Sequence, residues 1–134
     1  MNNYLLDTHT FIWAIIDDEK LSKNVLNILL KKENKLFVSV VSFWEIAIKT
    51  GKGKLNLKNF NILLIPNYCD RLGAIRIPLL TDEAINYSKL PLYKEHKDPF
   101  DRMLISQCLK NNFTFLSKDS QIDVYQKDGL KYIW

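Results

Sequence analysis

At 134 residues, with 47% hydrophobic and 25% charged residues, the chain has the size and balance of one soluble globular domain, which excludes a disordered or collagen-like polymer. A formal charge of +4 and a pI near 9.0 are compatible with a polyanionic partner without requiring one. Cys69 and Cys108 are too few for a zinc site or a disulfide scaffold and read as buried reduced thiols.

The opening Met1-Asn2-Asn3-Tyr4 has no basic n-region, and the apolar run after it is interrupted at Asp7. A cytoplasmic protein without a membrane partner is therefore expected. Tyr4-Leu5-Leu6 reads as a short buried strand. A helix follows through Phe11, Ile12, Ala14 and Ile15, then an amphipathic one with Leu21, Val25, Ile28 and Leu29 on one face. The β-branched run Lys35 to Val41 is the clearest strand. Ser42 is then expected to start a helix that the Gly51 and Gly53 pair ends. Ile62 to Leu72 reads as a helix with Pro66 in its first turn, and Ala74 to Ile77 as a strand. Thr81 is the expected cap of a helix opened by Asp82 and Glu83.

Asp98-Pro99 marks another helix start, with Phe100, Met103, Leu104, Cys108 and Leu109 facing the core. Phe113 to Leu116 is a strand. A short helix around Gln121 to Tyr125 and an edge strand from Leu130 to Trp134 close the chain. With no repeat, linker or low-complexity tract, residues 1–134 read as a single domain. The alternation of apolar runs and helical segments predicts an α/β fold: a central, mainly parallel sheet of four to five strands, flanked by helices on both faces.

Ligands of such sheets bind beyond the carboxyl ends of the strands, and acids recur there. Asp7 follows the first strand, Glu45 comes shortly after the second, Asp98 and Asp101 flank the Pro99 helix start, and Asp119 follows the Phe113 to Leu116 strand. Carboxylates brought together repel unless a cation neutralises them, and oxygen ligands select Mg²⁺ or Mn²⁺ over zinc. Such a cation can activate water and neutralise charge developing on a phosphate.

Each acid also has a structural reading. Ser42-x-x-Glu45 is a capping-box pattern, Asp98 a natural N-cap, Asp101 a first-turn acid and Asp119 a turn residue beside Ser120. Asp7 is the hardest to explain structurally, because an acid ending a buried apolar run needs partners. Thr8 and Ser42 can support the site or cap helices. Arg102 can fix a carboxylate, contact phosphate or form an ion pair elsewhere; His9 and His96 read as local hydrogen-bonding residues. Lys49, Lys52, Lys54 and Lys58 form the densest basic segment, either a solvated loop or a track for a nucleic-acid backbone. Aromatics such as Trp44 read as core or interface.

Four blocks, Leu5-Leu6-Asp7-Thr8-His9-Thr10-Phe11-Ile12-Trp13, Ser42-Phe43-Trp44-Glu45-Ile46-Ala47-Ile48-Lys49, His96-Lys97-Asp98-Pro99-Phe100-Asp101-Arg102-Met103-Leu104-Ile105 and Phe115-Leu116-Ser117-Lys118-Asp119, together resemble the PIN-domain ribonucleases, specifically the VapC-type toxins of type II toxin–antitoxin systems. The resemblance implies a PIN-like fold, an Mg²⁺- or Mn²⁺-dependent endoribonuclease acting on RNA, homodimerisation, and inhibition by a cognate VapB-like antitoxin. It carries the metal-binding and catalytic roles to Asp7, Glu45, Asp101 and Asp119. Asp98 belongs to the same block as Asp101 and can assist. Asp123, about one helical turn beyond Asp119, is the rival for the fourth position.

Competing readings are a PIN-fold binding or regulatory module without turnover and a housekeeping nuclease without an antitoxin. A haloacid-dehalogenase-like phosphatase would want an Asp where His9 stands.

Overall fold

A computed structural model of the chain describes residues 2–94 and 96–134; Met1, read above with the opening segment, lies outside them. Five short strands form one sheet: β1 (Asn3–Leu6), β2 (Lys35–Ser39), β3 (Ile75–Ile77), β4 (Thr114–Leu116) and β5 (Lys131–Ile133). Their order is β3-β2-β1-β4-β5, and every pairing is parallel. The expected α/β class holds, and the last strand, expected from Leu130 to Trp134 and found at Lys131–Ile133, lies at an edge as expected.

Period-two alternation sorts the strand residues onto two cores. Tyr4, Leu6, Leu36, Val38 and Leu116 face one layer. That layer is built by α1 (Thr8–Ile16), α2 (Lys23–Leu30), α3 (Val40–Gly51) and α4 (Ile65–Arg71), through Phe11, Val25, Ile46 and Cys69 among others. Leu5 and Phe115 face the opposite layer, which contains Leu104, Ile105 and Cys108 of α6 (Pro99–Asn111). Ile122 and Tyr125, from the 3₁₀ segment Ser120–Asp128, complete that layer. A short α5 (Thr81–Asn86) packs beside α6. Both cysteines are buried and reduced, and burial lifts the Cys69 thiol to about 11 and the Cys108 thiol well above its usual range.

Three local expectations need correction. The strand expected to run to Val41 leaves the sheet at Ser39, and the helix begins at Val40. Ser39, not Ser42, is the N-cap: its Oγ accepts from the Val41 N–H at 3.1 Å. Ser42 lies inside α3, so the Ser42-x-x-Glu45 capping box does not form and Glu45 is free of that duty. Thr81 is the first residue of α5 rather than its cap; the N–H of Leu80 donates to Glu83 Oε1 at 2.9 Å instead.

From β1 the chain winds outward through β2 to β3, then returns to lay β4 against the other side of β1. That reversal opens a crevice at the carboxyl ends of β1 and β4, the position at which parallel sheets bind ligands. Among the described residues, no helix is long and apolar enough to cross a membrane.

Candidate metal centre

Asp7 is the first residue past β1. Its N–H continues the sheet ladder by donating to the Leu116 carbonyl at 3.0 Å, which turns the side chain into the crevice. Although it occupies the N-cap position of α1, its carboxylate caps nothing. Oδ2 accepts from Ser117 Oγ at 2.6 Å, while Oδ1 is buried with no hydrogen-bond partner among the described residues. The same Ser117 Oγ accepts from the Asp119 N–H at 3.2 Å, so one hydroxyl ties the residues leaving β1 and β4 together.

Thr8 Oγ1 donates to Ser42 Oγ at 2.9 Å, pinning the start of α1 to α3. One turn past Ser42, Glu45 is 1% exposed; Oε2 pairs with Lys49, and Oε1 has no partner among the described residues. Asp98 caps α6, with Oδ1 accepting from the Phe100 N–H at 2.9 Å and the Asp101 N–H at 3.3 Å. Asp101 thereby projects from the first turn of α6 toward the crevice. Asp119 caps the 3₁₀ segment through its Oδ1, which accepts from the Gln121 N–H at 2.9 Å.

These side chains meet. One ligand atom each from Glu45, Asp98 and Asp101 lies within 4.8 Å of the others, and the same is true of His96, Asp101 and Asp119. Asp101 belongs to both groups. Asp7 adds its charge to Asp101 and feels that of Glu45. The fold thus gathers all four acids singled out in the sequence, with Asp98 beside them. Asp123 is directed elsewhere, accepting from Tyr132 Oη at 3.1 Å in an exposed position. Arg102 touches none of the carboxylates; its guanidinium is buried against Tyr87, Tyr125 and the Leu90 and Pro91 carbonyls.

The electrostatics follow from crowding. Burial, followed by the charges of Asp7, Asp98, Glu45 and Asp119, pushes Asp101 up to about 8. Burial also raises Asp7, against the opposing pull of the Ser117 hydrogen bond. Burial works against the charge on Lys49, yet the hydrogen bond and charge of Glu45 hold its pKa above the ordinary lysine range. Buried carboxylate oxygens without donors, gathered where negative charges crowd together, are the donor set that a hard divalent cation satisfies.

A pH dependence follows for the cation-free protein. The folded form holds a proton at Asp101 up to about pH 8, whereas the unfolded chain releases it near 3.8. Between those values the folded state binds more protons, so stability falls as pH rises, by up to about 1.4 kcal/mol per unit for each proton. Thermal melts in chelator are expected to give a higher Tm at pH 5.5 than at pH 8.5. Excess Mg²⁺ or Mn²⁺ should raise Tm most at the alkaline end. Melts in chelator with no pH trend would contradict this account.

Sequence reasoning missed Ser117 and the position of His96. Ser117 lies two residues before an expected ligand and carries no motif signal of its own. His96, expected to be a local hydrogen-bonding residue, does bond Tyr125 Oη through Nδ1 at 2.9 Å, but its Nε2 faces Asp101 and Asp119 at 3.6 and 3.7 Å. Burial pushes its pKa below the usual histidine range. Beside Glu45 the crevice widens into a cavity of about 260 Å³ bordered by His9, Lys49 and Lys54, so part of the basic segment lines the acidic site. Lys58 instead pairs with Asp17.

A family model described as "PIN domain" matches residues 4–128. No curated protein sequence matches the chain. Among solved structures, the chain is similar to a chain of VapBC2 from Rickettsia felis bound to a promoter DNA fragment, at 16% identity and a TM-score of 0.66, with 98% of this chain and 97% of that one covered. A chain of DNA-bound VapBC from Salmonella typhimurium is likewise similar, at 16% identity and a TM-score of 0.66 over 99% and 98% of the two chains. VapBC-1 from nontypeable Haemophilus influenzae aligns at 18% identity and a TM-score of 0.63 over 98% and 96%.

Proposed function

The chain belongs to the PIN domain family, and from that premise we propose that it is a metal-dependent endoribonuclease, a single catalytic domain over residues 1–134 that acts as the toxin of a type II toxin–antitoxin pair. The observation that carries the nuclease reading is the convergence of Asp7, Glu45, Asp98, Asp101 and Asp119 around one crevice, with buried oxygens of Asp7 and Glu45 left without donors. The toxin reading is supported by fold neighbours that are themselves described as VapBC proteins.

In this reading Asp7, Glu45, Asp101 and Asp119 hold Mg²⁺ or Mn²⁺, which supplies Lewis-acid polarisation and an activated water at an RNA phosphate. The chain's own residues prepare that environment. Ser117 fixes the Asp7 carboxylate and the backbone at Asp119 in one orientation. Asp98, as the cap, sets the first turn of α6 and hence the direction of Asp101. The Thr8–Ser42 bond holds α3 at the spacing that puts Glu45 in the crevice. Lys49 offsets the negative charge at Glu45, and with Lys54 and His9 it offers cationic and donor groups to the backbone phosphates of a bound strand. The partners proposed are RNA, a VapB-like antitoxin that covers the acidic crevice, and a second copy of the chain; the proposed setting is the cytoplasm.

The test is direct. Purified protein is expected to cut structured RNA with Mg²⁺ or Mn²⁺ and to lose that activity in chelator. Expression is expected to arrest growth, with relief by a small protein encoded alongside. Folded protein that cuts no RNA in either cation would leave an inert binding module; cutting without arrest or relief would leave a housekeeping nuclease.

A further inference from the structure

His96 is 3% exposed and sits where two of the acids converge, with Nε2 at 3.6 Å from Asp101 Oδ2 and 3.7 Å from Asp119 Oδ2. By position alone it would qualify as a nitrogen ligand to a cation. The hydrogen bonds on its far side point to a different role. The Nδ1 atom lies 2.9 Å from Tyr125 Oη, and the same Oη receives a hydrogen bond from Arg102 Nη1 at 2.9 Å. Arginine donates only, so Tyr125 is the acceptor in that contact.

The Tyr125 hydroxyl has one proton of its own to donate, and His96 Nδ1 is its acceptor among the described residues. Tyr125 is fully buried, so a proton pointed elsewhere would lack a partner among the described residues, which is unfavourable in the interior. Nδ1 is therefore the accepting nitrogen, and the neutral ring carries its proton on Nε2. Arg102 is itself held by Tyr87 Oη at 3.1 Å and by the Pro91 carbonyl at 2.8 Å, so the chain of donors starts from a fixed point. Nε2–H is a buried donor without a partner inside bonding distance among the described residues, aimed between two carboxylates.

We propose that His96 is a positioning residue: a fixed Nε2–H, oriented by Arg102 and Tyr125, that directs its positive end between Asp101 Oδ2 and Asp119 Oδ2 and does not ligate the cation. The proposal rests on the nuclease reading above. Asp119 Oδ1 is occupied by its capping bond, so the donor acts on the remaining oxygen and sets its direction. It also lessens the repulsion between two acids that come from different elements, α6 and the segment after β4.

The test reads the imidazole nitrogens directly. In a long-range ¹H–¹⁵N spectrum of ¹⁵N-histidine-labelled protein at neutral pH in chelator, His96 is identified by the signals that vanish in His96→Gln. The expected pattern is an unprotonated Nδ1 and a protonated Nε2, unchanged when Mg²⁺ is added. An Nδ1–H tautomer, a doubly protonated ring, or loss of the Nε2 proton on adding Mg²⁺ would overturn the proposal. Tyr125→Phe, if folded by circular dichroism, should shift the Nδ1 signal by removing its hydrogen bond; an Nδ1 signal unchanged in that variant also counts against it.

Kinetics supply the second arm. His96→Gln keeps an N–H donor and should retain Mg²⁺-dependent RNA cleavage within about 10-fold, whereas His96→Leu should lose about 10–100-fold in kcat with KM little changed. Equal losses in both variants would overturn the donor role. If the unaltered protein cuts no RNA, the nuclease reading fails, while the spectrum still decides whether His96 is the fixed donor.

Discussion

Asp101→Asn is expected to abolish RNA cleavage and, in chelator at pH 8, to make the protein more stable than the unaltered chain. Both effects have one cause. Asp101 lies in both carboxylate groups of the crevice, and it is held up to about 8 by burial and by the charges of Asp7, Asp98, Glu45 and Asp119. An amide in its place removes a negative charge from a site where burial and four other carboxylates disfavour it. It also removes the one side chain common to the two clusters, Glu45–Asp98–Asp101 and His96–Asp101–Asp119.

Loss of a shared ligand should lower cleavage by roughly 10³-fold or more, since the activated water and the charge neutralisation at phosphate both depend on the cation. Removing the repulsion should add more than about 1 kcal/mol of stability in chelator, since each unit by which a carboxylate's pKa is held up costs about 1.4 kcal/mol where the unfolded chain is ionised. The gain should shrink at pH 5.5, where the unaltered side chain is already protonated, and reverse in excess Mg²⁺, which stabilises only the chain able to bind it. Gel-based cleavage assays and thermal melts at both pH values check the two halves. A folded variant that still cuts RNA at the ordinary rate would remove Asp101 from the site. Asp7→Asn should lose activity to the same degree but gain less stability, because it also weakens the bond from Ser117.

Arg102→Leu is expected to be the most destabilising change near the site, by about 3 kcal/mol. Arg102 is 2% exposed and makes no salt bridge to a carboxylate among the described residues. Its charge is instead met by four oxygens: Tyr87 Oη at 3.1 Å, Tyr125 Oη at 2.9 Å, and the Pro91 and Leu90 carbonyls at 2.8 and 3.3 Å. The ring of Tyr87 also lies under the guanidinium, at 5.2 Å.

Leucine fills part of the volume and satisfies none of those oxygens. The segment from Tyr87 to Pro91 would lose its tie to α6, and the hydroxyl that orients His96 would lose its donor. Lysine should recover only part of the loss, because one ammonium cannot reproduce the planar fork that reaches all four acceptors. Urea titration of both variants measures the cost; an Arg102→Leu protein within about 0.5 kcal/mol of the unaltered chain would show that the oxygens find water instead.

Much of the architecture was legible because it rests on local periodicity. Leu5 faces away from Tyr4 and Leu6 in the structure, as strand alternation requires, and Asp98-Pro99 opens a helix for the reasons of capping and fixed φ that marked it in the sequence. The start of α3 was not legible. Val40 and Val41 continue a β-branched run, and nothing in composition says that the chain leaves the sheet after Ser39, where the pairing of β2 with β3 ends. For the same reason Glu45 looked like a partner of Ser42 until the helix was seen to begin two residues earlier.

Arg102 shows a different limit. Its adjacency to Asp101 suggested a shared role, but consecutive residues on a helix diverge by about 100°. Asp101 points to the crevice and Arg102 into the layer beside Tyr125.

The sequence by itself determined the sheet, its two apolar layers and the placement of acids after the strands, because these depend on patterns within a few residues of chain. The family resemblance put Asp119 ahead of its rival Asp123 for the fourth position. Only the tertiary structure set Asp119 beside Asp101, joined Ser117 to Asp7 across 110 positions, and aimed His96 at Asp101 and Asp119. Such choices depend on where distant segments come to rest against one another, and on which buried donors and acceptors are left to satisfy once they do.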